Sequence, residues 1–275
     1  MKKILTSSLM GGLGNQMFQI SKAICESRKF NLHVKFRKFS SIGMEGRQPT
    51  CYLTNIFRNI PFTDDVIITE RIYEPSWNYN SIDISNVNNN IEFWGYYQSS
   101  KNFNGYDEYI KSLFSVTEDF KEKIKKIYPN VFNKNSVSIH VRRGDYLNIS
   151  NVLPVVDKSY IDKSLELIPE KSSIFIFSND KNWVKKNLNY ENVIIVEGLE
   201  DYEELWMMSL CNHNIISNSS FSWWGAFLNN HKDKKVLCPS VWFGPDGEKK
   251  WDDIYESNWI KIPVEFSDGK LIYLG

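Results

Sequence analysis

Hydrophobic residues in the second half of the chain fall into short β-branched runs separated by longer, mixed stretches. The runs are Val137-Ser138-Ile139, Ile174-Phe175-Ile176-Phe177, Val193-Ile194-Ile195-Val196, Asn214-Ile215-Ile216-Ser217 and Lys235-Val236-Leu237-Cys238. Each is too short for a helix and rich in residues that fit a pleated surface, which reads as a strand. The segments between them, 157–168, 180–188, 202–211 and 223–229, are helix-compatible. Strands alternating with helices predict βαβ units and a parallel sheet, here of about five strands. Pro239 and Pro245 end the pattern, and the tail around Trp251 and Trp259 reads as irregular.

The first half is less periodic. The opening run Met1-Lys2-Lys3-Ile4-Leu5 reads as the first strand, over 3–6. It leads through Gly11-Gly12-Leu13-Gly14-Asn15-Gln16 into a helix starting near Met17. Met17, Ile20 and Ile24 give that helix a core stripe, and 32–36 is a second strand. Residues 40–90, rich in Asn, Ser and Pro, are expected to be loops. Segments 103–113 and 117–128 read as helices, with the charge run 121–126 a solvated face. A boundary within 129–135 divides the chain into an amino-terminal domain over 1–130 and a carboxyl-terminal one over 131–275.

Composition narrows the function. At 275 residues and 42% hydrophobic content, the chain can bury one large core or two modest ones. Lys+Arg 33 balances Asp+Glu 33, so no global basic field exists to hold nucleic acid or an anionic membrane, and any phosphate site must be local. Cys25, Cys51, Cys211 and Cys238 show no paired spacing, which argues against disulfides and a zinc site and suits a reducing cytoplasm. The apolar start is too short for a secretory segment, and no stretch reaches transmembrane length. Nine Trp and 15% aromatic residues supply a core and also faces that stack on sugars or bases.

Three polar clusters stand at the ends of predicted strands. His140-Val141-Arg142-Arg143-Gly144-Asp145 follows the strand that starts at Ser136. In open α/β sheets the carboxyl end of the strands is where ligands bind, and two adjacent Arg forks fit an anion, most naturally a phosphate. A surface ion pair is the alternative. Ser178-Asn179-Asp180 follows the next strand; there Asp180 either caps a helix or accepts hydrogen bonds from a nucleotide. Asn218-Ser219-Ser220-Phe221-Ser222-Trp223-Trp224-Gly225-Ala226 puts three hydroxyls at a helix start, a ready anion site, with the two Trp packing that helix on the sheet. The Gly11-Gly12 loop lacks the third glycine of a dinucleotide fingerprint and the Lys of a phosphate-binding loop. No D-x-D pair is present to hold a divalent ion on a diphosphate; Asp201-Tyr202-Glu203 and Asp246-Gly247-Glu248 come nearest.

Gly11-Gly12-Leu13-Gly14-Asn15-Gln16-Met17-Phe18-Gln19, His140-Val141-Arg142-Arg143-Gly144-Asp145-Tyr146 and Ser217-Asn218-Ser219-Ser220-Phe221-Ser222-Trp223-Trp224-Gly225-Ala226, in that order, closely resemble the α-1,2-fucosyltransferases of glycosyltransferase family 11. The resemblance spans the chain from its first loop to about Pro239. It implies a GT-B-type α/β fold of two Rossmann-like domains facing across a cleft, the first on the acceptor side and the second binding the GDP-sugar. It also implies GDP-β-L-fucose as donor, inversion at the anomeric carbon, no cofactor and no metal. The acceptor would be the 2-hydroxyl of a terminal β-galactose on an oligosaccharide or lipid-linked glycan. The setting implied is a bacterial cytoplasm, either free or peripheral to the inner membrane, in O-antigen or capsule assembly.

By the same resemblance, Arg142 holds the β-phosphate and stabilises departing GDP, and His140 meets ribose or base. Arg143 braces the loop, Asp180 reads guanine, and Asn218, Ser219, Ser220 and Phe221 complete the donor site around the diphosphate. Gly12, Asn15 and Gln16 line the cleft on the acceptor side. Asp145, in the catalytic motif beside Arg142, orients the arginine or backbone and is not the base. Two alternatives stay open: another GDP-sugar transferase, or a non-catalytic carbohydrate-binding protein. The region 40–100 is where acceptor choice is expected to lie.

Overall fold

The amino-terminal apolar run becomes strand β1 (Ile4–Ser7), and the glycine loop after it delivers the chain into helix α1 (Leu13–Lys29). The computed structural model describes residues 3–40 and 46–275, so Met1 and Lys2 of the expected strand, and 41–45 of the expected loop region, lie outside the described residues. Two compact units form. One comprises Met1–Ser115 with Lys250–Glu256, the other Val116–Lys249 with Ser257–Gly275.

In the first unit α1 begins four residues earlier than the apolar stripe suggests. Gly12 is extended at the cap, and Gln16 N–H donates to its carbonyl at 3.1 Å, closing the first turn. Asn15 and Gln16 are therefore helical. Met17, Ile20 and Ile24 are buried as expected, but so is nearly every residue from Leu13 to Ser27. Charge follows inside: fully buried Lys22 pairs with Glu26 at 3.0 Å beneath the rings of Tyr79, Phe93 and Tyr97. The expected strand 32–36 divides at Lys35 into β2 (His33–Val34) and β3 (Phe36–Arg37); β3 pairs with β4 (Phe62–Thr63). Two more strands, β5 (Glu70–Tyr73) and β6 (Ile91–Trp94), complete a parallel sheet ordered β2-β1-β6-β5, so the 40–90 region is not loop throughout. Helix α2 (Asp107–Leu113) is preceded by a 3-10 turn over Ser100–Phe103.

The second unit opens with α3 (Glu118–Ile127). Thr117 caps it, it buries Phe120 and Ile124, and Glu118–Lys121 and Glu122–Lys125 pairs line its solvent side. Then follow β7 (Ser136–Val141), β8 (Val155–Val156), α4 (Lys158–Leu165), β9 (Ser173–Ser178), α5 (Lys181–Asn187), β10 (Val193–Ile195), α6 (Asp201–Leu210), β11 (His213–Ile215), α7 (Ser220–Phe227) and β12 (Val236–Pro239). The tail is regular where irregularity was expected: β13 (Ile260–Ile262) adds a sixth strand beside β12, and β14 (Glu265–Ser267) folds back on β15 (Lys270–Ile272), which pairs with β8. The main sheet is wholly parallel, in the order β10-β9-β7-β11-β12-β13. Progress outward from β7 goes first to one side and then to the other. The switch point therefore falls between β7 and β11, and ligands of doubly wound sheets sit beyond the strand ends at that crevice.

Strand β7 explains why its sequence alternates polar and apolar residues while both faces are buried. Val137, Ile139 and Val141 enter the hydrophobic core with Ile176, Ile215 and Leu237. Ser136, Ser138 and His140, on the other face, are hydrogen-bonded to Asn212, Asn214 and Ser217 around β11. Buried polar groups are tolerated when paired in this way. Among the described residues no helix is long and apolar enough to cross a membrane.

Candidate active site

His140 is the last of the three polar positions on β7 and stands at the switch point. Its Nδ1 shares a 2.8 Å hydrogen bond with Ser217 Oγ just past the end of β11, and its ring lies 5.5 Å from that of Phe221. Burial, helped by the Arg142 charge, pushes its pKa down to about 3, so the imidazole is neutral at physiological pH. The positive charge of the site belongs to the arginines.

Arg142 and Arg143 have different tasks. Arg142 is 27% exposed along its side chain, donates from Nη2 to Asp145 Oδ2 at 2.7 Å, and lies 5.5 Å over the Tyr146 ring. That ion pair fixes one arm of a guanidinium whose side chain stays partly exposed. Arg143 is buried, with Nε donating to Asp180 Oδ2 at 3.2 Å and its guanidinium stacked 4.3 Å over Trp183. It braces the loop against α5. Asp180 uses its other oxygen, Oδ1, to accept from Trp183 N–H at 3.0 Å as the cap of α5. Both Asp180 oxygens are thus engaged within the protein.

Asn179 was missed by sequence reasoning and ties this loop together. Its Oδ1 accepts from Arg143 N–H at 2.9 Å and its Nδ2 donates to Asp145 Oδ1 at 3.2 Å. Gly144 makes room for it, since a Cβ there would stand 2.6 Å from Asn179 Nδ2. Asp145 therefore has one oxygen on Arg142 and one on Asn179, an orienting arrangement. Ser217 was likewise unassigned. The signal for both was present, as each sits in a quoted polar cluster beside a residue given a role.

The start of α7 completes the site. Ser219 caps the helix with its backbone and makes no side-chain capping bond. Beside it Tyr146, whose phenol burial pushes up to about 12, donates from its hydroxyl to the Asn218 carbonyl at 3.3 Å. Ser220 and Phe221 are partly exposed in the first turn, where helix N–H groups and the dipole favour an anion. Asn218 is fully buried and donates its amide hydrogens to the carbonyls of Pro154 (3.0 Å) and Trp242 (2.9 Å), so it shapes the turn from within. Trp223 and Trp224 are fully buried, Trp223 stacking on Phe227 with centroids 4.9 Å apart.

His140 meets Phe221 of the first turn of α7, and Arg142 follows two residues later at the end of β7, a grouping whose chemistry suits a diphosphate. Gly12, Asn15 and Gln16 lie in the first unit, at the carboxyl end of β1. Asn15 Oδ1 accepts from Gln98 Nε2 at 2.8 Å. Gln16 is fully buried, its amide donating to the carbonyls of Gly11 and Arg47.

Comparison with known proteins places this arrangement. The chain is 29% identical to an Escherichia coli α-1,2-colitosyltransferase, over 94% of this chain and 99% of that one. It is 26% identical to the E. coli O-antigen biosynthesis glycosyltransferase WbnK, over 93% and 99%. Rat galactoside α-(1,2)-fucosyltransferase 2 is 32% identical across 48% of this chain and 40% of its own. Among solved structures, the NodZ α-1,6-fucosyltransferase soaked with GDP-fucose has a similar fold, with a TM-score of 0.53 and 13% identity over 82% of this chain and 92% of that one. The fold is the α/β GT-B type. With the model of glycosyl transferase family 11 matching residues 1–263, the chain belongs to that family.

Proposed function

We propose that this family 11 enzyme transfers L-fucose from GDP-β-L-fucose, with inversion, to the 2-hydroxyl of a terminal β-galactoside, in the cytoplasm and without a metal. The observation that carries this reading is the partly exposed guanidinium of Arg142, held by Asp145 at the carboxyl end of β7, where the switch point falls. Departure of GDP concentrates charge on the β-phosphate. A planar fork held by Asp145, together with helix N–H groups, is aimed where that charge grows. The neutral imidazole of His140 is suited to a hydroxyl of the ribose or an edge of the base. No D-x-D pair accompanies the site, so arginine and helix end carry the leaving charge between them.

The name of the rat relative supports a galactoside acceptor, and that of WbnK supports a place in O-antigen assembly. The colitosyltransferase favours a second reading, transfer of colitose, which differs from fucose in lacking one hydroxyl. Sites built to bond a sugar hydroxyl reject the analogue that lacks it, so the two donors can be told apart by rate. The test is incubation of the purified protein in excess EDTA with lactose and, in separate tubes, GDP-fucose, GDP-colitose and GDP-mannose. A fucosylated product, its linkage mapped by NMR, is the expected outcome. Turnover of GDP-colitose alone would establish the second reading, and activity lost in EDTA and restored by Mg²⁺ would end the metal-free account.

A further inference from the structure

The carboxyl ends of β5 and β6 in the first unit carry four aromatic residues that are not part of its core. Tyr73 and Trp94 are register partners on these parallel strands, with ring centroids 6.4 Å apart, and Tyr73 is 63% exposed. Arg71, on the same face of β5, stacks 4.2 Å over Trp94. Its guanidinium donates to the buried carboxylate of Glu92. Just beyond the strands, Trp77 and Tyr96 are stacked almost parallel, at 5.4 Å and 9°, and both are partly exposed.

The turn that presents Tyr96 is held rigidly. Glu74 accepts from the N–H groups of Tyr96 (2.7 Å) and Tyr97 (2.9 Å), and a side chain at Gly95 would collide with Glu74. Tyr97 takes a left-handed φ of 53°, a conformation that a buried aromatic adopts only when its surroundings impose it, and such strain gathers at functional sites. The loop of Trp77 is fixed in turn, since Asp253 accepts from Tyr79 N–H and pairs with Lys101. Gln98, one residue past Tyr97, bonds Asn15, so the turn is tied to the first turn of α1. A core needs none of this outside it. Preorganised flat rings at the ligand-binding edge of a parallel sheet are suited to the apolar face of a sugar ring.

We infer that Tyr73, Trp77, Trp94 and Tyr96 form the subsite for a pyranose ring of the acceptor saccharide. The inference rests on the reading of the protein as a transferase to a β-galactoside, and names the surface that takes that acceptor. Charged groups beside the rings, Arg71 above all, suit the equatorial hydroxyls of a sugar better than a purely apolar partner.

The test uses the full chain with lactose as probe. Saturation-transfer NMR on the wild type should show the lactose ring protons close to aromatic protein protons. Trp77→Ala and Tyr73→Ala should each raise KM for lactose about tenfold or more, as loss of a stacking face does, with the affinity for GDP unchanged. Trp77→Phe should recover most of the loss, which a merely structural Trp77 would not predict from GDP binding or thermal stability. Tyr73 is so exposed that its replacement leaves the fold intact. Unchanged KM in both alanine variants, or lactose transfer signals that persist in the Tyr73/Trp77 double variant, would overturn the subsite. Failure of the transferase reading reports separately, as absence of turnover of any GDP-sugar by the wild type while lactose binding at the rings is retained.

Discussion

At the scale of single residues, the two adjacent arginines show how identical side chains acquire different work from their partners. The Arg143 side chain is consumed by Asp180 and Trp183, with its backbone N–H on Asn179, whereas Arg142 has one arm on Asp145 and stays partly exposed. Arg142→Ala should therefore lower the rate by a factor on the order of 10²–10³, the usual loss for an aimed charge-stabilising donor. Arg142→Lys should also be poor, because it retains charge without the fork. Near-normal turnover in both would remove Arg142 from the reaction. His140 yields a different prediction. Its pKa falls from the ordinary 6.5 to about 3 on folding, chiefly through burial. Between those values the unfolded chain binds a proton that the folded one refuses, so the contribution of neutral His140 is full above pH 6.5 and is lost as pH drops toward 3. Comparing melting temperature against pH for the wild type and His140→Asn, the variant should show the shallower acid-side decline. Equal slopes would mean that His140 is protonated at little cost. Sequence alone singled out these residues as candidates because their types and position carry chemistry. It did not reveal that Asp180 is shared between a helix cap and an ion pair, or that Lys22 is buried, since partners distant in the chain decide both.

At the scale of elements, β7 was legible as a strand but not as the seam of the unit. Its run Ser136-Val137-Ser138-Ile139-His140-Val141 looks like a strand with one wet face. In fact both faces are buried, and the polar one is matched by Asn212, Asn214 and Ser217. Asn214 is the densest knot. It is almost wholly buried, donates to Ser138 Oγ and the Met208 carbonyl, and accepts from Asn229. Asn214→Ala should cost roughly 2–4 kcal/mol, because it leaves several buried groups unpaired as well as removing their bonds. Chemical denaturation measures this directly; a loss below about 0.5 kcal/mol, the level of an ordinary surface change, would show that water replaces the amide. The start of α1 illustrates the opposite failure. Hydrophobic period places a helix by its core stripe, and backbone closure at Gly12 sets its true beginning.

At the scale of the whole chain, the alternation of strand and helix announced a parallel sheet of βαβ units, and the observed order of its strands then places the switch point between β7 and β11. The carboxyl-terminal tail was the part least legible, because Pro, Trp and short polar runs resemble loop until their distant partners are known. Those partners lie in both units. Asp253 secures the loop of Tyr79 in the first. In the second, β13 borders β12, Trp259 packs on Trp223, and the fully buried Leu271 joins the core. The β15 segment also accepts hydrogen bonds from Val155 N–H, to Gly269, and from Asp157 N–H, to Leu271, directly after the turn that carries Asp145. Ending the chain at Lys249 should therefore do more than remove an appendage. It uncovers apolar surface and releases backbone donors in the same region, and hydrogen exchange should find the amides of Val155 and Asp157 unprotected. Tyr79 should lose protection too, although it lies far away in sequence and in the other unit. A truncated chain that melts cooperatively at the full-length temperature, with those three amides still protected, would show that the tail contributes nothing the rest of the fold does not already supply.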